Sequence, residues 1–312
     1  HVFLCRGVTP QMKSERPLIG IGFALISLIW GSTWLVIKIG LDSLPPFYAV
    51  AIRFTLATLI LFAVMQVRGD RIPVDRRSLS LYLSVGILSF SVPFALVYWG
   101  EQYIPSGLAS VLFAVNPFIV AIGSHLFLPG ERMNLFKVAG VCLGFLGILV
   151  MFWADVHLGG TGIRGMIAIL VSTVLQGISL VIVKRNDRHI NPMALTFGGM
   201  LSGICILYAG AFLFEDASQI HLDQKGVGSI LYLGTFGSVV TFVTYYWLLK
   251  RVEAVYLSLV AFVTPVFAVI LGVLWLHESL SPRIFSGAVL VLGGILVANG
   301  KDVVAALQAR RR

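Results

Sequence analysis

Residues 109–128 read ASVLFAVNPFIVAIGSHLFL, and residues 257–276 read LSLVAFVTPVFAVILGVLWL. Apart from His125, neither stretch contains an ionisable side chain. A helix of about 20 apolar residues crosses the hydrocarbon core of a bilayer. Each stretch also has a proline near its middle that follows a polar residue, as Asn116-Pro117 and Thr264-Pro265. The two stretches therefore predict two related transmembrane helices.

The whole chain has the composition of a membrane protein. Of its 312 residues, 58% are hydrophobic and 12% are charged, whereas a soluble domain has about 25% charged residues. Short connections rich in Pro, Gly, Asp and Asn separate apolar runs of span length. We predict ten spans, at residues 18–40, 46–66, 79–99, 106–128, 134–153, 163–184, 193–214, 227–248, 254–276 and 282–300.

Basic residues are distributed unevenly among the connections. The formal net charge is +9, but no basic and aromatic stripe lies outside the apolar runs, so we expect no nucleic-acid binding. Eighteen of the 23 Lys and Arg residues fall on the side that holds both chain ends, and three fall on the other side. The positive-inside rule therefore predicts cytoplasmic termini for a protein of the plasma membrane, which is the inner membrane in a bacterium.

The two halves of the chain resemble each other beyond the proline stretches. Tyr98-Trp99 recurs as Tyr246-Trp247, at the offset that also relates Pro117 to Pro265. Each half has five predicted spans, so the second half enters the membrane from the opposite side. The predicted fold is all-α, with ten transmembrane helices arranged as two inverted five-helix repeats around a central cavity.

The repeats occupy residues 18–153 and 163–300, between a cytoplasmic N-terminal tail at 1–17 and a basic cytoplasmic tail at 301–312. Met12 opens a short polar stretch that leads directly into the first apolar run. We expect Met12 to be the natural start and residues 1–11 to be an extension.

Several motifs, taken in order, resemble those of a known family. They are Trp30-Gly31-Ser32-Thr33-Trp34 with Lys38, Pro45-Pro46 with Arg53-Phe54, the run from Ala109-Ser110 through Asn116-Pro117 to Gly130-Glu131-Arg132, and Thr264-Pro265 with His277-Glu278. With ten spans, this series resembles EamA-like proteins of the drug/metabolite transporter superfamily. The resemblance implies the inverted-repeat fold with its cavity, and export or exchange of amino acids, related metabolites or drugs.

One departure concerns proton coupling. Small multidrug exporters of the same superfamily use a membrane-embedded glutamate in the first helix. The corresponding core here, residues 23–36, has no acid, and all 14 acidic residues lie in loops or near span ends. The sequence therefore gives no support to proton coupling through a buried carboxylate.

The paired prolines are candidates for the cavity lining. A proline removes one backbone hydrogen bond and bends a helix, and the freed carbonyl needs a partner in protein or in a wet cavity. Asn116 and Thr264 can supply polar contacts beside Pro117 and Pro265. A packing kink without ligand contact is the alternative.

Two cations fall within the predicted spans. Arg53 lies about 10 Å into the second span, where it could attract a substrate carboxylate or form a gate with Asp42 or Glu101. Snorkelling to the outer surface is the alternative. Lys38 lies nearer its span end, where snorkelling is the favoured interpretation. The repeat position of Arg53 is Gly199, so its role belongs to one half only.

Aromatic residues supply further cavity candidates. Trp30 and Trp34 share a helix face and could stack on an aromatic or apolar substrate, although helix packing explains them too; Gln176 and Leu180 hold the equivalent positions. Tyr98 and Tyr246 lie at span ends, where interfacial anchoring is favoured, but Tyr98 and Tyr245 stay among the cavity candidates.

Other features point to structure. His125 could titrate near neutral pH, but a lone histidine more often has a structural role. Gly160-Thr161-Gly162-Ile163-Arg164-Gly165 matches a dinucleotide fingerprint, but no strand precedes it. The three cysteines are too far apart for a metal or disulfide framework, so we expect no metal and no cofactor.

These features favour a secondary transporter that moves small molecules by alternating access and exports amino acids or related metabolites or drugs. Import or exchange of phosphorylated or nucleotide-linked metabolites is an alternative that would need more cavity cations. A polytopic membrane enzyme would need paired acids or a His/Cys/Asp cluster at membrane depth, which the sequence lacks. The expected partners are a small-molecule substrate and the lipid bilayer. We expect a monomer, with a dimer as the alternative.

Overall fold

The computed structural model describes residues 10–128, 133–156, 162–186, 191–249, 260–298 and 300. These residues are helical apart from short connections. The helices are α1 (Pro10–Gly40), α2 (Pro46–Arg68), α3 (Arg76–Val85), α4 (Val92–Glu101), α5 (Ser106–Phe113), α6 (Asn116–Phe127), α7 (Leu135–Val156), α8 (Gly162–Asn186), α9 (Pro192–Phe214), α10 (Gln224–Gly234), α11 (Thr241–Leu249), α12 (Val260–Leu276) and α13 (Pro282–Ala298).

Eight helical segments in the described part of the chain are long and apolar enough to cross a membrane. They match the first eight predicted spans in order. Two further apolar helices, α12 and α13, are shorter than a membrane-spanning helix in their described residues. The predicted ninth span begins in residues 254–259, which lie outside the described residues. Many large apolar side chains are exposed on the outside of the bundle, among them Val67, Phe212 and Leu274, as expected of helices that face lipid.

Local signals in the sequence account for several helix ends. The Asp75 carboxylate accepts hydrogen bonds from the amides of Arg77 and Ser78, both at 3.1 Å, and so caps α3. The Ser78 hydroxyl also donates to Asp75, and these bonds lower the pKa of its carboxyl group. Pro46 and Pro192 each stand at the first position of a helix, where a missing amide proton has no cost.

The helices α7 and α13 run in opposite directions and touch through glycine. A Cβ atom at Gly147 would lie 2.6 Å from the carbonyl oxygen of Gly287, and one at Gly294 would lie 2.6 Å from that of Gly140. Only glycine permits so close an approach. Gly140 and Gly287 are equivalent positions of the two repeats, and so are Gly147 and Gly294, since both pairs have the same sequence offset. Exchanging the two halves therefore turns the contact of Gly147 with Gly287 into the contact of Gly294 with Gly140.

Other helix pairs repeat this exchange. Gly31 of α1 packs on Phe267 of α12, while Gly177 of α8 packs on Ile119 of α6. Gly31 corresponds to Gly177, and Ile119 corresponds to Phe267. In these pairs, a contact from the first half to the second has an equivalent contact from the second half to the first.

The third and eighth spans each contain a π-helical turn. The segment π1 (Gly86–Ser91) joins α3 to α4, and π2 (Thr235–Val240) joins α10 to α11. In each, a serine hydroxyl donates to the carbonyl five residues earlier: Ser91 to Gly86 at 2.8 Å and Ser238 to Leu233 at 2.9 Å. Such turns widen a helix locally and leave backbone carbonyls free for other partners.

The two prolines act differently, although the sequence predicted a matched pair of kinks. The fourth span is broken: α5 ends at Phe113, a turn follows, and Pro117 is the second residue of α6. Pro265 lies inside the continuous helix α12. A turn at Ala114 and Val115 thus interrupts the helix just before Pro117, whereas α12 continues through Pro265.

Candidate functional site

Arg53 is buried at the junction of the two halves. The side chain is 3% exposed. Its Nε donates to Ser238 Oγ at 3.2 Å, its Nη1 to the Tyr98 hydroxyl at 3.2 Å, and its Nη2 to the Gly237 carbonyl at 3.4 Å. The π-helical geometry of π2 presents both Gly237 and Ser238 to the guanidinium group. Arg53 is thus bound by neutral groups from α4 and π2.

Aromatic rings surround this cation. The guanidinium carbon lies 5.2 Å from the ring centroid of Phe94 and 5.4 Å from that of Phe54, within the range of a cation–π interaction. Phe54 in turn packs edge-on against Phe90, and Phe90 packs edge-on against Phe242.

Trp30 extends the aromatic cluster from α1. Its ring centroid lies 6.0 Å from that of Phe242 and 5.5 Å from that of Tyr245. Trp34, one turn further along α1, is buried against Phe113 instead. Of the four aromatic candidates, only Tyr98 contacts Arg53 directly. Trp30 and Tyr245 lie at the far end of the chain of ring contacts that runs from Phe54 through Phe90 and Phe242, and Trp34 packs beside the break in the fourth span.

Several sequence expectations about Arg53 need correction. It does not snorkel, because its polar partners lie inside the bundle. It forms no gate with Asp42, whose carboxylate instead pairs with Lys225 at 2.8 Å on the exposed surface. Within the described ranges, no carboxylate lies within ion-pair distance of Arg53. Tyr98 is no interfacial anchor either, since it is 2% exposed and bonded to Arg53.

Lys38 and Glu101 meet at the end of α4. The Lys38 ammonium group donates to the backbone carbonyls of Glu101 and, at 3.0 Å, Ile104. Lys38 is therefore tied to the C-terminal end of a helix, where a cation is favoured, and its snorkelling to the membrane surface stays a prediction. The Glu101 side chain is fully buried.

The polar candidates of the fourth, sixth and ninth spans lie elsewhere in the bundle. The Asn116 amide donates to the Thr173 carbonyl of α8 at 3.2 Å. Gln176, one turn later on α8, has a buried amide nitrogen, and Thr264 on α12 has a buried hydroxyl; neither atom has a hydrogen-bond partner among the described residues. Pro265 is buried and Pro117 is partly buried. These groups flank the helix pairs α6–α8 and α1–α12.

His125 has a local contact. Its ring nitrogen Nδ1 accepts a hydrogen bond from the Met133 amide at 3.3 Å. The side chain is exposed near the end of α6. This contact suits the structural interpretation better than a role in coupling.

A cavity of about 930 Å³ opens at the end of the bundle where α1 meets α2. The Glu215 carboxylate accepts hydrogen bonds there from the amides of Phe47 at 2.7 Å and Tyr48 at 3.0 Å. Burial raises the pKa of Glu215, although these two bonds act in the opposite direction. The lining includes Asp42, Pro45, Trp99, Gln102, Phe214, Glu215, Asp216 and His221.

Comparison with known proteins identifies the family. The model of the EamA-like transporter family matches residues 18–153 and again 163–300. The chain belongs to the EamA-like transporter family. The two matches cover the two halves that the internal repeat defines. The chain is accordingly a multi-pass membrane protein of a transporter family.

Relatives of this EamA-like protein are also named as transporters. The chain is 31% identical to the uncharacterized inner membrane transporter YedA of Escherichia coli K12, over 93% of this chain and 94% of that one. It is 28% identical to the uncharacterized transporter YoaV of Bacillus subtilis 168, over 89% and 95%. A solved crystal structure of a protein matches with a TM-score of 0.64 at 23% identity, over 89% and 95% of the two chains; this likeness concerns the fold.

Sequence reasoning missed Gly237 and Ser238, which hold Arg53. They lie within an apolar run, and an isolated Gly-Ser pair in a membrane helix is usually a packing feature. The sequence gives no signal for a π-helical turn at this place. Only the contacts of Arg53 reveal that the pair belongs to the site.

Proposed function

We propose that this EamA-like protein is a secondary transporter that exports amino acids with apolar or aromatic side chains, and that Arg53 binds the substrate carboxylate. The observation that carries this proposal is a buried cation that has no carboxylate within ion-pair distance among the described residues. Removing a guanidinium group from water costs several kcal/mol, and only part of that cost is recovered from neutral hydrogen-bond partners. A substrate carboxylate would supply the missing negative charge and a two-pronged partner for the guanidinium group.

The surroundings of Arg53 fit the rest of such a substrate. Phe54 and Phe94 flank the guanidinium group and Phe90 packs on Phe54, so these three rings offer an aromatic wall that suits an apolar side chain. The Tyr98 and Ser238 hydroxyls, already at Arg53, are able to reorient toward a bound polar group. A few convergent polar groups within an apolar lining are typical of small-molecule sites.

The proposed mechanism is alternating access by two inverted five-helix repeats, with ten spans in all and both termini in the cytoplasm. The antiparallel contact of α7 with α13 and the exchanged pairs Gly31–Phe267 and Gly177–Ile119 support an inverted arrangement, because a two-fold axis in the membrane plane produces such reversed contacts. Arg53 reaches Ser238 across the boundary between the halves, where a rocking motion would open the site to each side in turn.

A phosphorylated substrate fits less well. It carries at least two negative charges and would need a second cation in the site. Lys38 already donates to the carbonyls at the end of α4. A single buried guanidinium group is better matched to a single carboxylate.

The test is counterflow in proteoliposomes. Vesicles loaded with unlabelled L-phenylalanine, L-leucine or L-methionine should accumulate the labelled amino acid, whereas L-phenylalaninamide, which lacks the carboxylate, should not exchange. R53M should abolish exchange, while R68M, which removes an exposed arginine from the end of the same helix, should leave it intact. Equal exchange of the amide, or full activity of R53M, would show that Arg53 does not bind a substrate carboxylate.

A further inference from the structure

Glu101 is an acidic side chain in an unusual position. It is the last residue of α4, and its side chain is 0% exposed. Neither carboxyl oxygen has a hydrogen-bond partner among the residues that the structure describes. The sequence placed this acid at the end of a span and expected no buried carboxylate, so its complete burial is a finding of the structure.

The charged groups around Glu101 are engaged elsewhere. Lys38 of α1 donates to backbone carbonyls, including that of Glu101 itself. Glu278, which follows α12, accepts from the amides of Ser106 and Gly107 at 2.8 and 3.2 Å and from the Ser106 hydroxyl. Arg53 of α2 binds Tyr98 and π2. The three side chains are close enough to act electrostatically on Glu101 without bonding to its carboxyl group.

The remaining neighbour of this part of α4 is apolar. Gly100 packs against Gly165, Ala168 and Ile169 of α8. An ionised carboxylate that is buried without hydrogen bonds costs several kcal/mol, whereas the neutral acid costs far less. The observed arrangement therefore suits a protonated Glu101, and ionisation would require a conformation in which water reaches the carboxyl group.

We propose that Glu101 is a proton-binding site through which the transporter exchanges an external proton for its substrate. The proposal rests on the proposed function. An external proton binds the carboxylate in the outward-open state, is carried as the neutral acid through the closed state, and is released to cytoplasmic water in the inward-open state. Substrate then binds at Arg53 and leaves on the other side.

One turn of α4 links the two sites. Tyr98 and Glu101 are three residues apart and share a helix face, and the Tyr98 hydroxyl accepts a hydrogen bond from Arg53. A substrate carboxylate that draws Arg53 away from Tyr98 also changes the surroundings of Glu101. Binding of substrate at Arg53 therefore opposes binding of a proton at Glu101, and the two occur in turn.

The test separates exchange from uphill transport. Proteoliposomes with the membrane potential clamped at zero are assayed for counterflow of L-phenylalanine and for its accumulation under an imposed pH gradient. With one proton per substrate, each pH unit supports about tenfold accumulation. The wild type and the control E215Q should show both activities, whereas E101Q should keep counterflow and lose gradient-driven accumulation.

Each outcome has one meaning. Counterflow without any response of the wild type to the pH gradient overturns the proton site and leaves the proposed transport function standing. Full gradient-driven accumulation of L-phenylalanine by E101Q also overturns the proton site. An absence of counterflow in the wild type counts against the proposed function itself.

A second measurement avoids dependence on the folding of E101Q. Dicyclohexylcarbodiimide reacts with protonated carboxyl groups in apolar surroundings. In the wild type it should modify Glu101, as detected by mass spectrometry, less at higher pH and less with L-phenylalanine present. Glu215, which accepts two backbone hydrogen bonds, is the internal comparison. Modification of Glu101 that is insensitive to substrate, or no modification at any pH, contradicts the proposal.

Discussion

Arg53 of α2 donates a hydrogen bond to Ser238 of π2 at 3.2 Å, and this bond joins the two matched halves of the chain inside the bundle. Ser238 simultaneously donates to the Leu233 carbonyl, five residues earlier. The Ser238 hydroxyl group thus donates a hydrogen bond within the π-helical turn and accepts one from Arg53. The position of the guanidinium group therefore depends on the shape of a helix in the other half.

Replacing this serine should weaken substrate binding without unfolding the protein. In S238A the Nε of Arg53 loses one neutral acceptor, and a hydrogen bond to a charged group contributes about 1.5–3 kcal/mol. We expect a loss of affinity for L-phenylalanine of about tenfold to a hundredfold, measured by equilibrium binding to the purified protein. S89A, which removes a serine-to-serine bond between π1 and α8, is the control. Unchanged affinity in S238A would argue that Arg53 does not need π2.

Two adjacent glycines on α13 should respond in opposite ways to alanine. A Cβ at Gly294 would meet the carbonyl oxygen of Gly140 at 2.6 Å, whereas one at Gly293 meets nothing within 4 Å. Overpacking costs about 1–3 kcal/mol, and an alanine in an open helix position gains up to about 1 kcal/mol. Thermal unfolding in detergent should therefore show a lower Tm for G294A and an equal or higher Tm for G293A. Equal destabilisation of both variants would contradict the close contact of α7 with α13.

Asp75 should give the stability a defined pH dependence. Hydrogen bonds from Ser78 and Arg77 lower the pKa of its carboxyl group in the folded state, so the unfolded state binds the proton more readily. The contribution of the ionised Asp75 carboxylate to the free energy of unfolding is then complete above the ordinary aspartate pKa. This contribution is lost as the pH falls through the lower folded-state pKa. We expect D75N to have a lower Tm than the wild type at neutral pH. The two Tm values should converge under acidic conditions, and a constant difference would rule out this linkage.

The sequence predicted the helical fold well because lipid imposes a strong length requirement on apolar runs. The first eight predicted spans coincide with described helices within a few residues, and the family-model matches coincide with the predicted repeats. The broken fourth span was not predicted, since a proline after a polar residue signals a bend equally well in a continuous helix and in an interrupted one. Pro265 and Pro117 show both outcomes.

The site was predicted in part. Arg53 and Tyr98 were named from the sequence and are hydrogen-bonded to each other in the structure, because charge and aromatic character at membrane depth are visible in a sequence. That these residues, with Trp30 and Tyr245, bind a substrate stays a prediction. The partners of these residues were not predictable, since they depend on which helices meet. Arg53 was assigned Asp42 or Glu101 as possible gate partners, yet it binds Ser238 from the other half. Glu101 was placed near the end of its span, and tertiary packing buries it completely.

Access to Arg53 from both sides of the membrane is the most direct test of the account. Thr33 lies beside the site, since its Cγ2 is 3.0 Å from where a Cβ of Gly237 would be. In a variant with Cys5, Cys142 and Cys205 replaced by serine, T33C should react with a membrane-impermeant thiol reagent in right-side-out vesicles and also in inside-out vesicles. Added L-phenylalanine should change the ratio of the two rates. Labelling from one side only, or from neither, with no effect of the amino acid, would contradict a site that opens alternately to the two sides.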